Sequence, residues 1–203
     1  MKISKGNSKI GKVWNISLPP VKACKGCADI CGRDCYAMKA YRQYPATREA
    51  WEHNFDQAKN DIGNYFKELE CALEKYKGKF FRWHVAGDIL STEYYYEMIV
   101  IAKKFPRIKF LAFTKQYWFV NRFHDQYEKK GFVYTLPENL QIVFSAWPNL
   151  PLDNPHGFPV AFMQDGTETR IPDDAIPCPG NCETCGMCWS LSEINRDVYF
   201  DKH

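Results

Sequence analysis

Hydrophobic and polar positions follow two different periods along the chain, and the two periods alternate. Short apolar or alternating runs predict five strands, over residues 12–20, 79–88, 108–115, 140–148 and 160–166. Between them apolar residues recur every three or four positions, and this spacing predicts five helices, over residues 36–44, 46–60, 61–76, 91–105 and 116–131.

The alternation of strands and helices predicts an α/β fold. The runs over residues 108–115 and 140–148 are almost continuously apolar, as in parallel strands that are buried on both faces. Parallel strands joined by helices need right-handed crossovers, so the chain is expected to wind in one direction around one sheet. A length of 203 residues suits a single domain over residues 1–203.

Polar residues follow the predicted strands at the end where parallel α/β folds carry their chemistry. His84 and Asp88 lie at the end of one strand, where they could act as an acid–base pair. Lys115 ends the next strand and could hold an anion. Each has a simpler alternative: His84 as a packed core residue, Asp88 as the cap of the following helix, and Lys115 as a surface lysine in a turn.

Eight of the nine cysteines lie in two short stretches, "CKGCADICGRDC" (24–35) and "CPGNCETCGMC" (178–188). The start of the chain has lysines but no apolar signal-peptide core, so we expect a cytosolic protein whose thiols stay reduced. Clustered reduced thiols favour metal binding over disulfides. The candidate metal ligands are Cys24, Cys27, Cys31, Cys35, Cys178, Cys182, Cys185 and Cys188.

The spacing of the cysteines favours an iron–sulfur cluster of the [4Fe–4S] type. Cys182, Cys185 and Cys188 are separated like the compact trio of a bacterial ferredoxin motif. Zinc is the alternative, because soft thiolates select either group. One centre could take ligands from both ends of the chain, or each stretch could hold its own. Cys71 stands alone in a predicted helix and is expected to be a small buried residue.

Charge changes this picture little. The chain has 27 Lys and Arg against 24 Asp and Glu, a net charge of +3. A protein dedicated to duplex DNA would carry a larger and more clustered excess, so charge gives no indication of a nucleic-acid partner. No run approaches the roughly 18 apolar residues of a membrane helix, so no membrane partner is expected. Four histidines are assigned no role: His53, His124, His156 and His203.

Several longer stretches resemble the phage-encoded gene product 88 family. They are "SKGNSKIGKVWNISLPP", "CGRDCYAMKAY", "FRWHVAGDI", "KFLAFTKQYW" and "CETCGMCW", and together they extend over nearly the whole chain. The resemblance implies a phage or prophage origin and a location in the host-cell cytosol. It implies no particular reaction.

The chain also resembles the radical S-adenosylmethionine enzymes more distantly. In both, a strand is followed by a cysteine cluster, and a later strand ends in a Gly-acid pair. The resemblance implies a partial (β/α) TIM-like barrel, a [4Fe–4S] cluster and a role for Gly87 in binding S-adenosylmethionine. Cys27, Cys31 and Cys35 are spaced C-x3-C-x3-C, whereas the signature of those enzymes is C-x3-C-x2-C. If an extra cysteine closes the cluster, S-adenosylmethionine does not bind, and the sequence leaves both forms open.

Taken together, these features predict an iron–sulfur protein with a barrel-like α/β domain and cysteine-rich segments at both ends. The expected function is a redox or radical-type enzyme that acts on an unidentified small molecule. The alternative is a non-enzymatic binding module, stapled by zinc or a closed cluster, that engages a host protein or RNA. An enzyme needs a pocket at His84, Asp88 and Lys115, and a binding module does not.

Overall fold

The computed structural model describes residues 1–7, 10–25, 29–33 and 35–202. The strands of this part of the chain are β1 (Trp14–Ile16), β2 (Phe80–Trp83), β3 (Lys109–Thr114), β4 (Leu140–Ala146), β5 (Val160–Gln164), β6 (Ile176–Pro177) and β7 (Val198–Asp201). The helices are α1 (Asp29–Arg33), α2 (Tyr36–Gln43), α3 (Pro45–Asn60), α4 (Ile62–Glu74), α5 (Thr92–Lys104), α6 (Tyr117–Glu128), α7 (Cys182–Cys185) and α8 (Leu191–Ile194), with a 3-10 turn at Met187–Trp189.

The predicted strands and helices are all present, and local chemistry explains where they begin and end. Helix α4 starts at Asp61, whose side chain accepts from the Asn64 N–H (2.9 Å), and α5 starts at Ser91, which accepts from the Tyr94 N–H (3.0 Å). The strand predicted over residues 79–88 ends early, at Trp83. His84 has a left-handed backbone with φ of +49°, which takes the chain out of the sheet.

The seven strands form one parallel sheet in the order β1-β2-β3-β4-β5-β7-β6. The predicted α/β fold with a parallel sheet is therefore confirmed. The sheet is open, with no barrel closure among the described residues, so the partial barrel of the expectation is not confirmed. Closure is blocked at β1, because the N–H and C=O of Asn15 on its outer edge both pair with Ser4 (2.9 Å each). At the other edge β6 has only two residues.

The two faces of the sheet are covered differently. Helices α4, α5 and α6 pack on one face and enclose the larger core, in which Trp83, Phe81 and Phe110 are fully buried. The other face is covered by the C-terminal segment that contains α7 and α8. Trp189 of this segment lies against Phe80, the first residue of β2, with ring centroids 4.8 Å apart.

The C-terminal segment packs over the amino-terminal ends of the strands, and other residues surround the carboxyl ends. Gln141, near the start of β4, exchanges two hydrogen bonds of 2.9 Å with Ser192. Lys109, the first residue of β3, donates to Ser190 (3.0 Å). The segment also reaches the N-terminal residues, because the Lys12 N–H donates to the Glu183 carboxylate (3.0 Å). The two ends of the chain thus meet on this face although the sheet stays open.

Among the described residues, no helix combines the length and the apolar composition needed to cross a bilayer.

Candidate functional site at the carboxyl ends of the strands

A cavity of about 180 Å³ lies at the carboxyl ends of the strands, on the face opposite the large helices. Residues that follow the strands line it: Val85 to Asp88 after β2, Lys115 after β3, Trp147 after β4 and Lys202 after β7. This is the edge at which parallel α/β folds bind ligands. The sequence placed His84, Gly87, Asp88 and Lys115 at this edge, and all four line the cavity.

Three cysteines of the N-terminal stretch, Cys24, Cys31 and Cys35, line the same cavity. Cys27 lies outside the described residues. Two side chains hold this segment over the strand ends. Gln116 donates to the Lys25 carbonyl, and the Tyr36 hydroxyl donates to the Val85 carbonyl. The N-terminal thiols are therefore placed next to the polar strand ends, as the position of the cluster after β1 predicted.

The C-terminal cysteines form a second group, which reaches the cavity through Arg82. The Arg82 guanidinium lines the cavity and contacts the Cys182 sulfur at 4.0 Å. The pKa of the Cys188 thiol is raised to about 12, mainly by burial; Arg82 opposes the rise, and the neighbouring thiols Cys178, Cys182 and Cys185 add to it. The four C-terminal cysteines thus lie near one another, and Cys182 among them contacts Arg82.

The described cysteines form neither a disulfide nor a compact metal site. No three of their sulfurs lie within 4.8 Å of one another among the described residues. In a tetrahedral zinc site with bonds of about 2.3 Å, the sulfurs would be about 3.8 Å apart. The thiols are therefore not assembled as a zinc tetrahedron. Cys71 is exposed on α4, so the expectation of a buried residue was wrong.

His84 is buried and lies in a strained backbone conformation. It is 4% exposed, with φ of +49°, and its N–H donates to the Ile16 carbonyl (2.8 Å). Its Nε2 lies 3.0 Å from the Tyr94 hydroxyl, which lies 2.9 Å from the Tyr65 hydroxyl. Burial and, to a smaller extent, the charge of Arg82 together lower the pKa of His84 to about 3, so the imidazole is neutral at physiological pH. The left-handed conformation costs energy in residues other than glycine, and such residues cluster at functional sites.

Asp88 connects the ends of β2 and β3. Its carboxylate accepts from the Thr114 hydroxyl (2.6 Å), the Lys115 N–H (2.9 Å) and the Ile89 N–H (2.7 Å). Burial raises the pKa of Asp88, and the donated hydrogen bonds oppose the rise. The cap of α5 is Ser91, so Asp88 does not have the alternative role of capping that helix. His84 and Asp88 share the cavity wall, but no hydrogen bond joins them among the described residues.

Lys115 lies beside the ring of Trp147, with its Nζ 4.9 Å from the ring centroid. The Trp147 indole N–H donates to the Ser145 hydroxyl (3.2 Å), and Arg170 donates to the Trp147 carbonyl (2.8 Å). This arrangement holds the loop after β4 at the mouth of the cavity. This contact places the Lys115 side chain at the strand ends, where an anion could bind.

Gly87 has a structural reason to be glycine, independent of any cofactor. Its φ is +82°, and a Cβ atom at this position would lie 2.5 Å from the Leu18 Cβ. The loop after β2 therefore packs directly against the chain that follows β1.

We expect Gly87→Ala to lower the free energy of unfolding more than Gly131→Ala does. Gly131 has a similar φ of +80° but no atom within 4 Å of its Cβ position, so it has the backbone strain without the clash. The clash should make Gly87→Ala about 2 kcal/mol more destabilising, measured by urea unfolding. Equal losses for the two variants would show that the contact with Leu18 relaxes freely.

The buried histidines predict how stability depends on pH. Burial lowers the pKa of His84 to about 3 and that of His124 to about 4, whereas both bind a proton near pH 6.5 when the chain is unfolded. The contribution of these two histidines to the free energy of unfolding is therefore fully present above pH 6.5 and is lost as the pH falls below that value. Between pH 6.5 and 5.5 we expect a loss of about 1 kcal/mol for each histidine. Urea titrations at the two pH values test this, and His124→Gln should reduce the difference by half; a stability that does not change would contradict it.

A second group of potential ligands was not predicted from the sequence. His156 contacts the Asp125 carboxylate through Nε2 (3.0 Å) and the Glu128 carboxylate through Nδ1 (3.1 Å), and the three ligand atoms lie within 4.8 Å of one another. These contacts fasten the loop between β4 and β5 to α6. They satisfy both imidazole nitrogens, so the group is explained as an ion-paired surface contact.

Comparison with known proteins identifies one family. The model of the family described as gene product 88 matches residues 1–149. No curated protein and no solved structure matches the chain.

Proposed function

The chain belongs to the gene product 88 family of phage proteins, and we propose that it is an iron–sulfur protein of the host-cell cytosol. Its thiols would hold a [4Fe–4S] cluster beside the cavity, where the protein acts as a redox or radical-type enzyme on a small molecule. The observation that carries this proposal is the shared cavity. Cys24, Cys31 and Cys35 open onto the space that His84 and Lys115 also line.

The donor set fits such a cluster. Thiolates are the ligands of iron–sulfur clusters, and free cysteines lie on both sides of Arg82. The wider separation of the sulfurs is compatible with a cluster, because its ligands surround a core of four irons and not a single ion. Cys188 needs a metal to become a thiolate, since burial raises its pKa to about 12.

We also propose that the sheet curves as a partial barrel, as the resemblance to radical S-adenosylmethionine enzymes implies. The support is that residues from the ends of β2, β3, β4, β5 and β7 line one cavity, including Met163 and Phe200. Five neighbouring strands can face one small space only if the sheet is concave. S-adenosylmethionine remains a candidate ligand of that space if one iron stays open.

A bound cluster would supply one-electron transfer, and the chain's own residues would prepare the cavity for it. Phe113, Met163 and Trp147 are apolar walls that exclude water and so influence a cluster's potential. Arg82 provides a positive charge between the two thiol groups. Asp88 fixes the ends of β2 and β3 and thereby the positions of His84 and Lys115.

The test is anaerobic purification followed by an absorption spectrum and analysis of iron, sulfide and zinc. We expect a coloured protein with about four irons and four sulfides for each cluster. A colourless protein that carries zinc would overturn the redox function. It would favour the alternative, a thiolate-stapled module that engages a host protein or RNA.

A further inference from the structure

Two buried nitrogen atoms in the cavity wall have no hydrogen-bond partner among the described residues: Arg82 Nε and His84 Nδ1. Both residues line the cavity, and they are two positions apart at the end of β2. The side chain between them, Trp83, points to the opposite face and is fully buried in the large core. Buried polar atoms without partners are rare, and in a cavity wall they indicate a missing ligand.

The hydrogen bonds behind His84 determine which of its nitrogens carries the proton. The Tyr65 hydroxyl is fully buried, and Tyr94 is its one partner among the described residues. If Tyr65 donates to Tyr94, and Tyr94 donates to His84 Nε2, both hydroxyl hydrogens have acceptors. In the reverse direction the Tyr65 hydrogen would be buried without an acceptor, which is costly. The proton of neutral His84 is therefore on Nδ1.

His84 Nδ1–H and Arg82 Nε–H are then both donors, and neither has an acceptor in the part of the chain that the structure describes. The two side chains are close enough for the charge of Arg82 to lower the pKa of His84. The described lining has three cationic side chains, Arg82, Lys115 and Lys202, and one carboxylate, Asp88. Asp88 already accepts three hydrogen bonds. The described part of the lining thus offers these two donors no acceptor, and it has more cationic than anionic side chains.

We propose that Arg82 Nε–H and His84 Nδ1–H together bind the carboxylate of a small organic acid whose apolar part lies against Phe113 and Met163. A carboxylate matches two neighbouring N–H donors with its two oxygens. The volume of about 180 Å³ limits the ligand to a small molecule. This inference deepens the proposed function, on which it rests for the ligand's role as substrate, and Tyr94 and Tyr65 act as positioning residues for His84.

The first test is made on the wild-type protein and needs no substitution. Protein labelled with ¹⁵N-histidine is examined by NMR, with the His84 signals assigned through their correlations to the backbone. We expect the tautomer protonated at Nδ1, with Nε2 as acceptor. The tautomer protonated at Nε2 would overturn the inference, because His84 would then offer an acceptor to the cavity and not a donor.

The second test measures binding, with acetate, butyrate and inorganic phosphate as probes. We expect saturable shifts of the His84 ¹⁵N signals with both acids, and about tenfold tighter binding of butyrate from its two additional methylenes. Arg82→Gln should weaken butyrate binding by more than about tenfold. The control Arg122→Gln removes an exposed arginine on α6 and should leave binding unchanged.

Three results would overturn the inference: no saturable shift with either acid, phosphate bound more tightly than butyrate, or equal weakening by the two arginine variants. The last would show a general effect of charge and no site. Iron and zinc are measured in the same samples, so the two proposals fail separately. Acid binding by a protein without iron would support the carboxylate site and overturn the redox function. Iron without acid binding would support the cluster and overturn the carboxylate site.

Discussion

Asp88→Ala is expected to lower the free energy of unfolding by about 3–5 kcal/mol, although Asp88 lies in a cavity wall. The carboxylate accepts from the Thr114 hydroxyl and from the N–H groups of Ile89 and Lys115. Alanine would leave these buried donors without an acceptor, and each loss has a cost of about 1–3 kcal/mol. Some of the total is regained because a buried charge is removed.

The measurement is urea unfolding of Asp88→Ala beside Asp88→Asn. Asparagine keeps one acceptor oxygen and nearly the same volume, so its loss should be less than half that of alanine. If Asp88→Ala instead unfolds like the wild type, the carboxylate does not hold the strand ends together. A role in catalysis, such as the acid–base role predicted from the sequence, would then be the better explanation of its burial.

The order of strands and helices could be predicted because it depends on local patterns. The stripe of Ile62, Phe66, Leu69, Leu73 and Tyr76 has helical spacing. Phe66, Leu69 and Leu73 are buried on α4. The apolar run of β4 is buried at every position, as its sequence indicated. Boundaries were less predictable where a single backbone conformation decides them. The left-handed conformation of His84 ends β2 after Trp83, and histidine itself carries no signal for it.

The openness of the sheet could not be predicted, because it depends on contacts between distant segments. Ser4 pairs with Asn15 at the outer edge of β1, and no periodicity of either segment indicates this pairing. Strand β7 was also missed, since Val198–Asp201 is a short run near the C-terminus. Its position between β5 and β6 depends on contacts between segments that are distant in the sequence. A barrel and an open sheet have the same local sequence pattern.

Some residues of the cavity could be predicted because their positions depend only on the order of strands and helices. Parallel strands bring their carboxyl ends to one edge, so His84, Asp88 and Lys115 could be placed together from the order of elements alone. Arg82 could have been found from its position two residues before His84 on one strand. The hydrogen-bonded series from Tyr65 through Tyr94 to His84 could not, because its members come from α4, α5 and β2.

The two chain ends meet in the fold, which explains how two cysteine stretches far apart in the sequence come to lie near each other. The N-terminal stretch follows β1 and lies over the cavity, while the C-terminal stretch covers the opposite ends of β2 and β3. Arg82 spans the distance between them, since it lines the cavity and contacts Cys182. The two stretches thus lie on one face of the sheet.

Replacing a single cavity cysteine is expected to have the largest effect of all, loss of the bound metal. In protein purified anaerobically, Cys31→Ala should lose the visible absorption of its own centre and reduce the iron of that centre from about four atoms to fewer than one, because a cluster needs all its thiolate ligands. Cys71→Ala is the matched control: Cys71 is an exposed free thiol on α4, and its removal should change neither. Cys185→Ala tests the other stretch.

The comparison of Cys31→Ala with Cys185→Ala decides how many centres the chain has. If one centre takes ligands from both stretches, each variant loses all the iron. If each stretch holds its own centre, each variant keeps about half, and the wild type carries about eight irons as two clusters. Iron that is unchanged in both variants would contradict the cluster altogether, since neither stretch would then be ligating it.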